Sequence, residues 1–238
     1  MQDKRKNTLN ILEFYESESP TATEFRRVYS NLRYYASGEN LKAILITSPA
    51  LGEGKSTLAS LLAIEASHRH NKRVILMDCD LRRPNLHRLF TLEKEKGLTE
   101  LLQGKANFQE CLKSTPLENL RIMTSGQEIQ SPSELLESPY FKEVITEARH
   151  FSDLLIVDSA PVIPVSDPLI LGPLVDGVIL VLKAGHTQRE IGKRAVEILK
   201  SAQIRILGVI MNNMKEVLPY YYSYKYYGYE YSSPRRKG

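Results

Sequence analysis

Short segments in which nearly every residue is apolar recur along the chain. They are residues 43–47, 73–77, 154–157, 178–182 and 206–211. Segments with apolar residues at helical spacing precede or separate them, at residues 21–36, 56–70, 139–150 and 188–203. Strands that are apolar on both faces and alternate with helices are typical of parallel sheets covered on both sides. The pattern therefore predicts an α/β fold, with a mostly parallel sheet and helices on both faces.

The same pattern divides the chain into three regions. Residues 1–20 precede the first helical segment, and we expect them to form an N-terminal extension. Residues 21–217 carry all the periodic segments and predict one domain, in which the turn-rich stretch 104–133 is expected to be a surface excursion. Periodicity stops after Val217, so residues 218–238 are predicted to be a flexible tail of low complexity.

Composition changes the picture mainly at the two ends. The 238 residues include 13 tyrosines and no tryptophan, and eight of those tyrosines lie between Tyr220 and Tyr231. The net charge is +4, but residues 1–6 contribute +2 and residues 235–237 contribute +3, which leaves −1 for the rest. A nearly neutral body with two short basic ends does not form a nucleic-acid-binding face.

Membrane and secretion signals are missing from the sequence. No apolar run approaches the roughly 20 residues that a membrane-spanning helix needs, and the charged N-terminus does not resemble a signal peptide. Cys79 and Cys111 form neither a disulfide framework nor a metal-binding set. We therefore expect a cytoplasmic protein, and the initiating Met1 favours a separate polypeptide.

The loop after the first strand carries a phosphate-binding motif of the G-K-[ST] type. It consists of Gly52, Glu53, Gly54, Lys55, Ser56 and Thr57. Such glycines let backbone N–H groups turn towards phosphate oxygens, and the following helix adds a partial positive charge. Lys55 would reach the β- and γ-phosphates, and the Ser56 hydroxyl would ligate Mg²⁺. Because Pro49 replaces the first glycine of the general pattern, a simple glycine turn with a helix cap is the alternative.

Acidic residues end two further strands. Asp78 and Asp80 follow residues 73–77, and Asp158 follows residues 154–157. Strand alternation sends Asp78 and Asp80 to the same side, at the carboxyl edge where α/β sheets bind ligands. Each aspartate alone could cap the following turn. Together with the loop lysine, the three carboxylates predict a P-loop NTPase-like site for phosphoryl transfer from ATP with Mg²⁺.

These motifs resemble those of the bacterial tyrosine kinases that regulate capsular and exopolysaccharide synthesis. The resemblance runs from about residue 21 to residue 231 and is carried by GEGKST, LMDCDLRRP, LLIVDSAP and the tyrosine-rich end. It implies that residues 21–217 form a P-loop kinase domain, and it assigns roles to particular side chains. Catalysis would use Lys55, Asp78, Asp80 and Asp158, with Asp78 as the base, Ser56, Asp78 and Asp158 on Mg²⁺, and Asn212 against adenine.

The resemblance also implies that the tail is the substrate. The acceptors would be Tyr220, Tyr221, Tyr222, Tyr224, Tyr226, Tyr227, Tyr229 and Tyr231, phosphorylated in trans within a ring-like homo-oligomer. Glu24 and Arg27 fit the family's E-x-x-R-x-x-R oligomerisation motif, whereas Ser30 replaces its last arginine. An adhesive aromatic segment is the alternative for the tail. Tyrosine without Phe or Trp favours a need for the hydroxyl group.

The partners implied by the resemblance are a cytoplasmic segment of a transmembrane activator or chain-length regulator and a tyrosine phosphatase. Membrane contact would then arise only through the activator, although the kinase portion of a longer membrane protein is an alternative. Two other functions remain open from the residues. A partition or division-site positioning ATPase typically carries a lysine where this chain has Ala50, and a non-catalytic nucleotide-dependent scaffold would use the same site residues.

Overall fold

The computed structural model describes residues 10–17, 19–35 and 41–214, and within these ranges the chain forms one seven-stranded sheet. The strands are β1 (Ala43–Thr47), β2 (Val74–Asp78), β3 (Leu112–Ser114), β4 (Leu120–Met123), β5 (Leu154–Asp158), β6 (Gly177–Lys183) and β7 (Ile206–Asn212). The longer helices are α2 (Pro20–Tyr35), α3 (Lys55–His68), α8 (Pro139–Phe151) and α10 (Arg189–Ser201). The helices of four or five residues are α1 (Ile11–Phe14), α4 (Leu86–Leu89), α5 (Leu98–Leu102), α6 (Phe108–Cys111), α7 (Pro132–Leu136) and α9 (Asp167–Leu171).

The sheet order is β3-β4-β2-β5-β1-β6-β7, and all neighbouring strands are parallel except β3 and β4, which are antiparallel. Alternate residues of each central strand enter different cores: Leu45 of β1 packs with α8 and α10, whereas Ile44 and Ile46 pack with α2 and α3. This two-sided burial explains why the strands are apolar throughout. It confirms the α/β fold with a mostly parallel sheet and helices on both faces.

The prediction that residues 104–133 form a surface excursion was wrong. Strands β3 and β4 lie in this stretch, and β4 pairs with β2 in parallel register from Val74–Leu120 to Met77–Met123. Leu120, Ile122 and Met123 are buried. The short length of both strands and the position of Arg121 within β4 hide this pattern in the sequence.

The packed structure also includes residues before position 21. Ile11 of α1 is buried in the same core as α2 and α3, and the Tyr15 hydroxyl donates a hydrogen bond to Glu65 of α3. Glu65 is completely buried, with Arg26 Nε and His70 Nε2 each 3.8 Å from its Oε1 atom. The described part of residues 1–20 therefore packs against the domain that was predicted to begin at residue 21.

Among the described residues, no helix combines the length and apolarity needed to cross a bilayer.

Candidate active site

The phosphate-binding loop joins β1, at the centre of the sheet, to α3. Gly52 and Gly54 have φ angles of +76° and +89°, a left-handed conformation that favours glycine. A Cβ atom at Gly54 would also overlap the Asn212 side chain. Lys55 opens α3, so the backbone N–H groups of the helix N-terminus face the loop, as a phosphate site requires.

Lys55 is held by an acidic side chain of the loop that follows β2. Its Nζ atom lies 2.8 Å from Asp80 Oδ2, and both side chains are nearly buried. Burial acts to lower the pKa of Lys55, but the charges of Asp158 and Asp80 outweigh this effect and raise it. Lys55 is therefore a charged ammonium group. To bind a phosphate group, it would have to leave the carboxylate of Asp80.

Asp78 and Asp158 lie directly opposite each other, because β2 and β5 are neighbours in register. Both side chains are completely buried. Asp78 Oδ2 accepts hydrogen bonds from the N–H groups of Asn85 and Leu86, at 3.1 and 3.0 Å. Asp78 Oδ1 and both carboxylate oxygens of Asp158 have no partner at normal hydrogen-bond geometry within the described part of the chain, although the Ser56 hydroxyl and the Ser159 N–H lie beside Asp158 and lower its pKa.

The pKa values of these two carboxyl groups respond to this environment. Burial, and then the charge of Asp158, raise the pKa of Asp78 well above its usual range. Burial also raises the pKa of Asp158, against the opposing charge of Lys55. Two adjacent buried carboxylates cost free energy unless a cation or proton compensates their charge. Their unpaired oxygens and the Ser56 hydroxyl beside Asp158 are oxygen ligands of the type that Mg²⁺ prefers.

A metal site built from several acidic, histidine or cysteine side chains is not found in the described chain. Over residues 10–17, 19–35 and 41–214, no group of three or more His, Cys, Asp or Glu side chains is arranged to hold a metal ion.

Asn212 and Thr187 clamp the phosphate-binding loop, and only the first was singled out from the sequence. The Asn212 side-chain Nδ2 donates to the Glu53 carbonyl oxygen at 2.8 Å, and the Thr187 hydroxyl donates to Glu53 Oε1 at 2.8 Å. Glu53 is buried, and burial raises its pKa. Thr187 follows the carboxyl end of β6, which is the only signal that the sequence offers for it.

A second clamp that the sequence did not indicate holds the acidic loop after β2. Arg82 donates from Nε to Asp167 Oδ2 at 2.9 Å and from a terminal nitrogen to Ser133 Oγ at 2.7 Å. Asp167 is completely buried at the start of α9. The first arginine of the DCDLRRP motif, Arg82, therefore fixes the loop that carries Asp80.

The remaining predicted site residues lie elsewhere. Thr57 follows Ser56 in α3, but its side chain is exposed. Glu24 and Arg27 pair with each other on α2, with Nη1 and Oε1 2.6 Å apart and side chains 36% and 62% exposed. The eight predicted acceptor tyrosines, from Tyr220 to Tyr231, lie outside the described residues.

Comparisons with known proteins identify relatives that match most of the chain. A ParA family profile, described as NUBPL iron-transfer P-loop NTPase, matches residues 40–220. The tyrosine-protein kinase YwqD of Bacillus subtilis (strain 168) is 36% identical over 219 residues, covering 92% of this chain and 91% of the relative. The tyrosine-protein kinase CpsD of Streptococcus agalactiae is 31% identical over 209 residues, covering 87% and 90%.

Solved structures show the same relationship in three dimensions. The kinase domain of Escherichia coli tyrosine kinase ETK superimposes with a TM-score of 0.82 at 27% identity. The match covers 89% of this chain and 83% of that one.

Proposed function

This chain belongs to the bacterial protein-tyrosine kinases built on the ParA-type P-loop fold, and on that premise we propose that it phosphorylates its own tyrosine cluster, residues 220–231. The observation that carries the proposal is the buried set of carboxylates around Lys55, at the sheet edge where the phosphate-binding loop begins. Such a set suits phosphoryl transfer, in which positioning and neutralisation of charge dominate catalysis.

The proposed reaction assigns separate tasks to the loop and to the carboxylates. The loop N–H groups and Lys55 bind the phosphates of ATP, once Lys55 leaves Asp80. The tyrosine oxygen forms a new bond to the γ-phosphorus, the bond from that phosphorus to the β–γ bridging oxygen breaks, and ADP leaves. The hydroxyl proton passes to Asp78, which has one carboxylate oxygen without a hydrogen-bond partner in the described chain.

The two roles that the resemblance gives Asp78 compete for one atom. Its Oδ2 is already bound by two backbone N–H groups, so only Oδ1 is available. Asp158 has two available oxygens. We therefore assign proton transfer to Asp78 Oδ1, and Mg²⁺ binding to Ser56 and Asp158. Bound Mg²⁺ would neutralise charge on the β- and γ-phosphate oxygens.

The biological setting follows from the family. We propose that the kinase acts in trans within a ring-like oligomer that uses the Glu24 and Arg27 surface of α2, and that it regulates capsular or exopolysaccharide synthesis. A cytoplasmic segment of a transmembrane activator would bring it to the inner face of the membrane, and a tyrosine phosphatase would reverse the reaction. The exposure of Glu24 and Arg27 is compatible with such a contact.

A labelling experiment tests the proposed reaction. Protein incubated with γ-labelled ATP and Mg²⁺ should form phosphotyrosine that maps to residues 220–231, and Lys55→Met should abolish it. Lys72→Met, an exposed lysine at the opposite edge of the sheet, is the matched control and should retain it. Free phosphate without phosphotyrosine would indicate an ATPase, and neither product would indicate a scaffold. The assay uses protein purified from cells that contain the activator, so that a negative result is not due to the absence of that partner.

A further inference from the structure

A groove of about 580 Å³ separates α10 from the edge strand β7, and its lining residue Thr187 bonds Glu53 of the phosphate-binding loop. Leu182, Val196 and Met211 form its apolar floor. Met211 is 48% exposed although it lies on a strand, because β7 is the last strand in the sheet order. Exposed apolar surface inside a concave site is a common mark of ligand binding.

Gly192 of α10 keeps the floor of this groove open. A glycine inside a helix costs about 1 kcal/mol relative to alanine, so its position needs a reason. Contact with β6 does not supply one, because a Cβ atom at Gly192 would lie 3.4 Å from Leu182 Cδ1, an ordinary contact distance. Its lack of a side chain instead widens the groove between α10 and Met211.

The rim of the groove is positively charged. Arg189, Lys193 and Lys200 line it and are exposed, and no ion pair joins any of them to an acid within the described ranges. Glu197 is the one acidic lining residue, and Arg194 already approaches it to 3.7 Å. An apolar floor under a cationic rim suits a ligand that combines an aromatic ring with an anionic end.

We propose that this groove binds phosphotyrosines of the chain's own 220–231 cluster, an inference that rests on the proposed function for the source of the phosphate. The unphosphorylated cluster contains one lysine and one glutamate and so has no net charge. Each phosphotyrosine adds about −1.5 to −2 charges. Charge complementarity with the rim therefore arises only after the kinase reaction.

The chain leaves β7 beside the groove, close enough for the tyrosine cluster to reach it. Strand β7 ends at Asn212, next to Met211 on the groove floor, and Tyr220 follows eight residues later. Eight residues can span up to about 26 Å, which exceeds the roughly 20 Å length of a 13-residue helix such as α10. Phosphotyrosines of the cluster can therefore reach every cationic residue of the rim.

Binding at this groove would affect the kinase cycle. Its lining includes Thr187, whose hydroxyl holds Glu53 of the phosphate-binding loop. A phosphorylated tail bound here stays on its own chain, beside that loop, and leaves the acceptor position of a neighbouring active site. The groove would thus separate product tails from substrate tails.

A peptide-binding measurement tests the inference. The full chain with its eight tail tyrosines changed to Phe is titrated against fluorescent peptide 218–231, phosphorylated at Tyr221, Tyr224, Tyr227 and Tyr229, and binding is followed by anisotropy. We expect Lys193→Glu and Gly192→Leu each to weaken binding about tenfold or more, through charge reversal and filling of the groove. Lys142→Glu, an exposed lysine of α8 outside the groove lining, is the matched charge reversal and should leave peptide binding unchanged.

Two control peptides test which parts of the ligand the groove recognises. An unphosphorylated peptide and a peptide with phosphoserine at the same four positions should both bind at least about tenfold more weakly, because each lacks one half of the ligand. No binding of the phosphotyrosine peptide, equal binding of either control peptide, or equal loss in Lys142→Glu would overturn the inference. Because the peptide carries its own phosphates, the result does not depend on whether the chain phosphorylates its tail.

Discussion

At the scale of single residues, the active site concentrates negative charge where water cannot screen it. Asp78 and Asp158 are neighbours on adjacent strands, and Asp80 lies against Lys55 close by. Buried like charges raise the free energy of the folded chain until a ligand or metal compensates them. The site therefore exchanges stability for the capacity to bind Mg²⁺ and phosphate, and two substitutions measure this exchange.

Asp78→Asn should stabilise the nucleotide-free protein while abolishing phosphoryl transfer. Because burial raises the pKa of Asp78, the unfolded chain loses its proton first as the pH increases above about 4, and the ionised group then favours unfolding. Asparagine keeps an acceptor for Asn85 and Leu86 and places an N–H group at the unpaired oxygen. We expect a Tm about 2–6 °C higher at pH 7.5 without Mg²⁺, with the difference shrinking towards pH 4.

Asp153→Asn is the control for this trend, because its effect on the Tm is expected to have the opposite sign. Hydrogen bonds from Arg73 lower the pKa of Asp153 to about 2, so its contribution is present at neutral pH and lost only as the pH falls through that value. The control should lower the Tm slightly at pH 7.5. A smaller Tm gain of Asp78→Asn over the unchanged protein at pH 7.5 than at pH 5 would contradict the electrostatic account of the site.

Asp80→Asn should bind nucleotide more tightly when Mg²⁺ is absent. The substitution removes the carboxylate that holds Lys55 at 2.8 Å and that would repel phosphate. We expect the Kd for a fluorescent ADP in EDTA to fall about three- to tenfold, equivalent to roughly 1 kcal/mol. Asp153→Asn, at the opposite edge of the sheet, should leave the Kd unchanged. Weaker binding by Asp80→Asn would show that Asp80 instead supports the nucleotide site.

At the scale of helices and strands, the central part of the fold is predictable because β1, β2, β5 and β6 are buried on both faces. Strands β3 and β4 are not, since they are short and carry polar residues. The residues of the site likewise divide into those that the sequence predicts and those that it does not. Motifs reveal Lys55 and the aspartates, but the contact of Asp78 with Asp158 depends on β2 lying beside β5, which no local pattern encodes. Thr187 and Asp167 belong to no motif and emerge only from packing.

The N-terminal elements give a prediction at this scale. Tyr15 links the segment after α1 to the buried Glu65 of α3, and Tyr15→Phe would leave that carboxylate without its hydroxyl donor. We expect the free energy of unfolding to fall by about 1–3 kcal/mol, measured by urea denaturation. Tyr140→Phe, at a 39% exposed side chain, should cost much less. Equal stability of the two variants would mean that the Tyr15 contact contributes little.

At the scale of the whole molecule, the tail can control assembly through charge. The chain outside its two basic ends has a net charge of −1, so it carries no excess positive charge that would neutralise added phosphates. Four phosphotyrosines would add about −6 to −8 charges. Repulsion between such tails, or their retention in the α10–β7 groove, would favour separate chains over an oligomer.

Tail variants that imitate the two states test this effect. With all eight tyrosines from Tyr220 to Tyr231 changed to Glu, the chain should sediment as a monomer, because the tails repel one another. With the same eight changed to Phe, it should assemble. Adding Glu24→Ala and Arg27→Ala to the Phe variant should reduce assembly if α2 forms the contact. Identical sedimentation of the Glu and Phe variants would contradict control by tail charge.

The most direct test of the central claim separates enzyme from substrate. One chain carries Lys55→Met and an intact tail, and the other is active but has its eight tail tyrosines changed to Phe. After co-expression with the activator, phosphopeptides from the two chains are distinguished by mass spectrometry. The account predicts phosphotyrosine within residues 220–231 of the Lys55→Met chain. An unmodified tail on that chain, under conditions in which the wild-type chain gains phosphotyrosine, would contradict phosphorylation in trans; an unmodified wild-type tail would contradict the kinase assignment of the cluster itself.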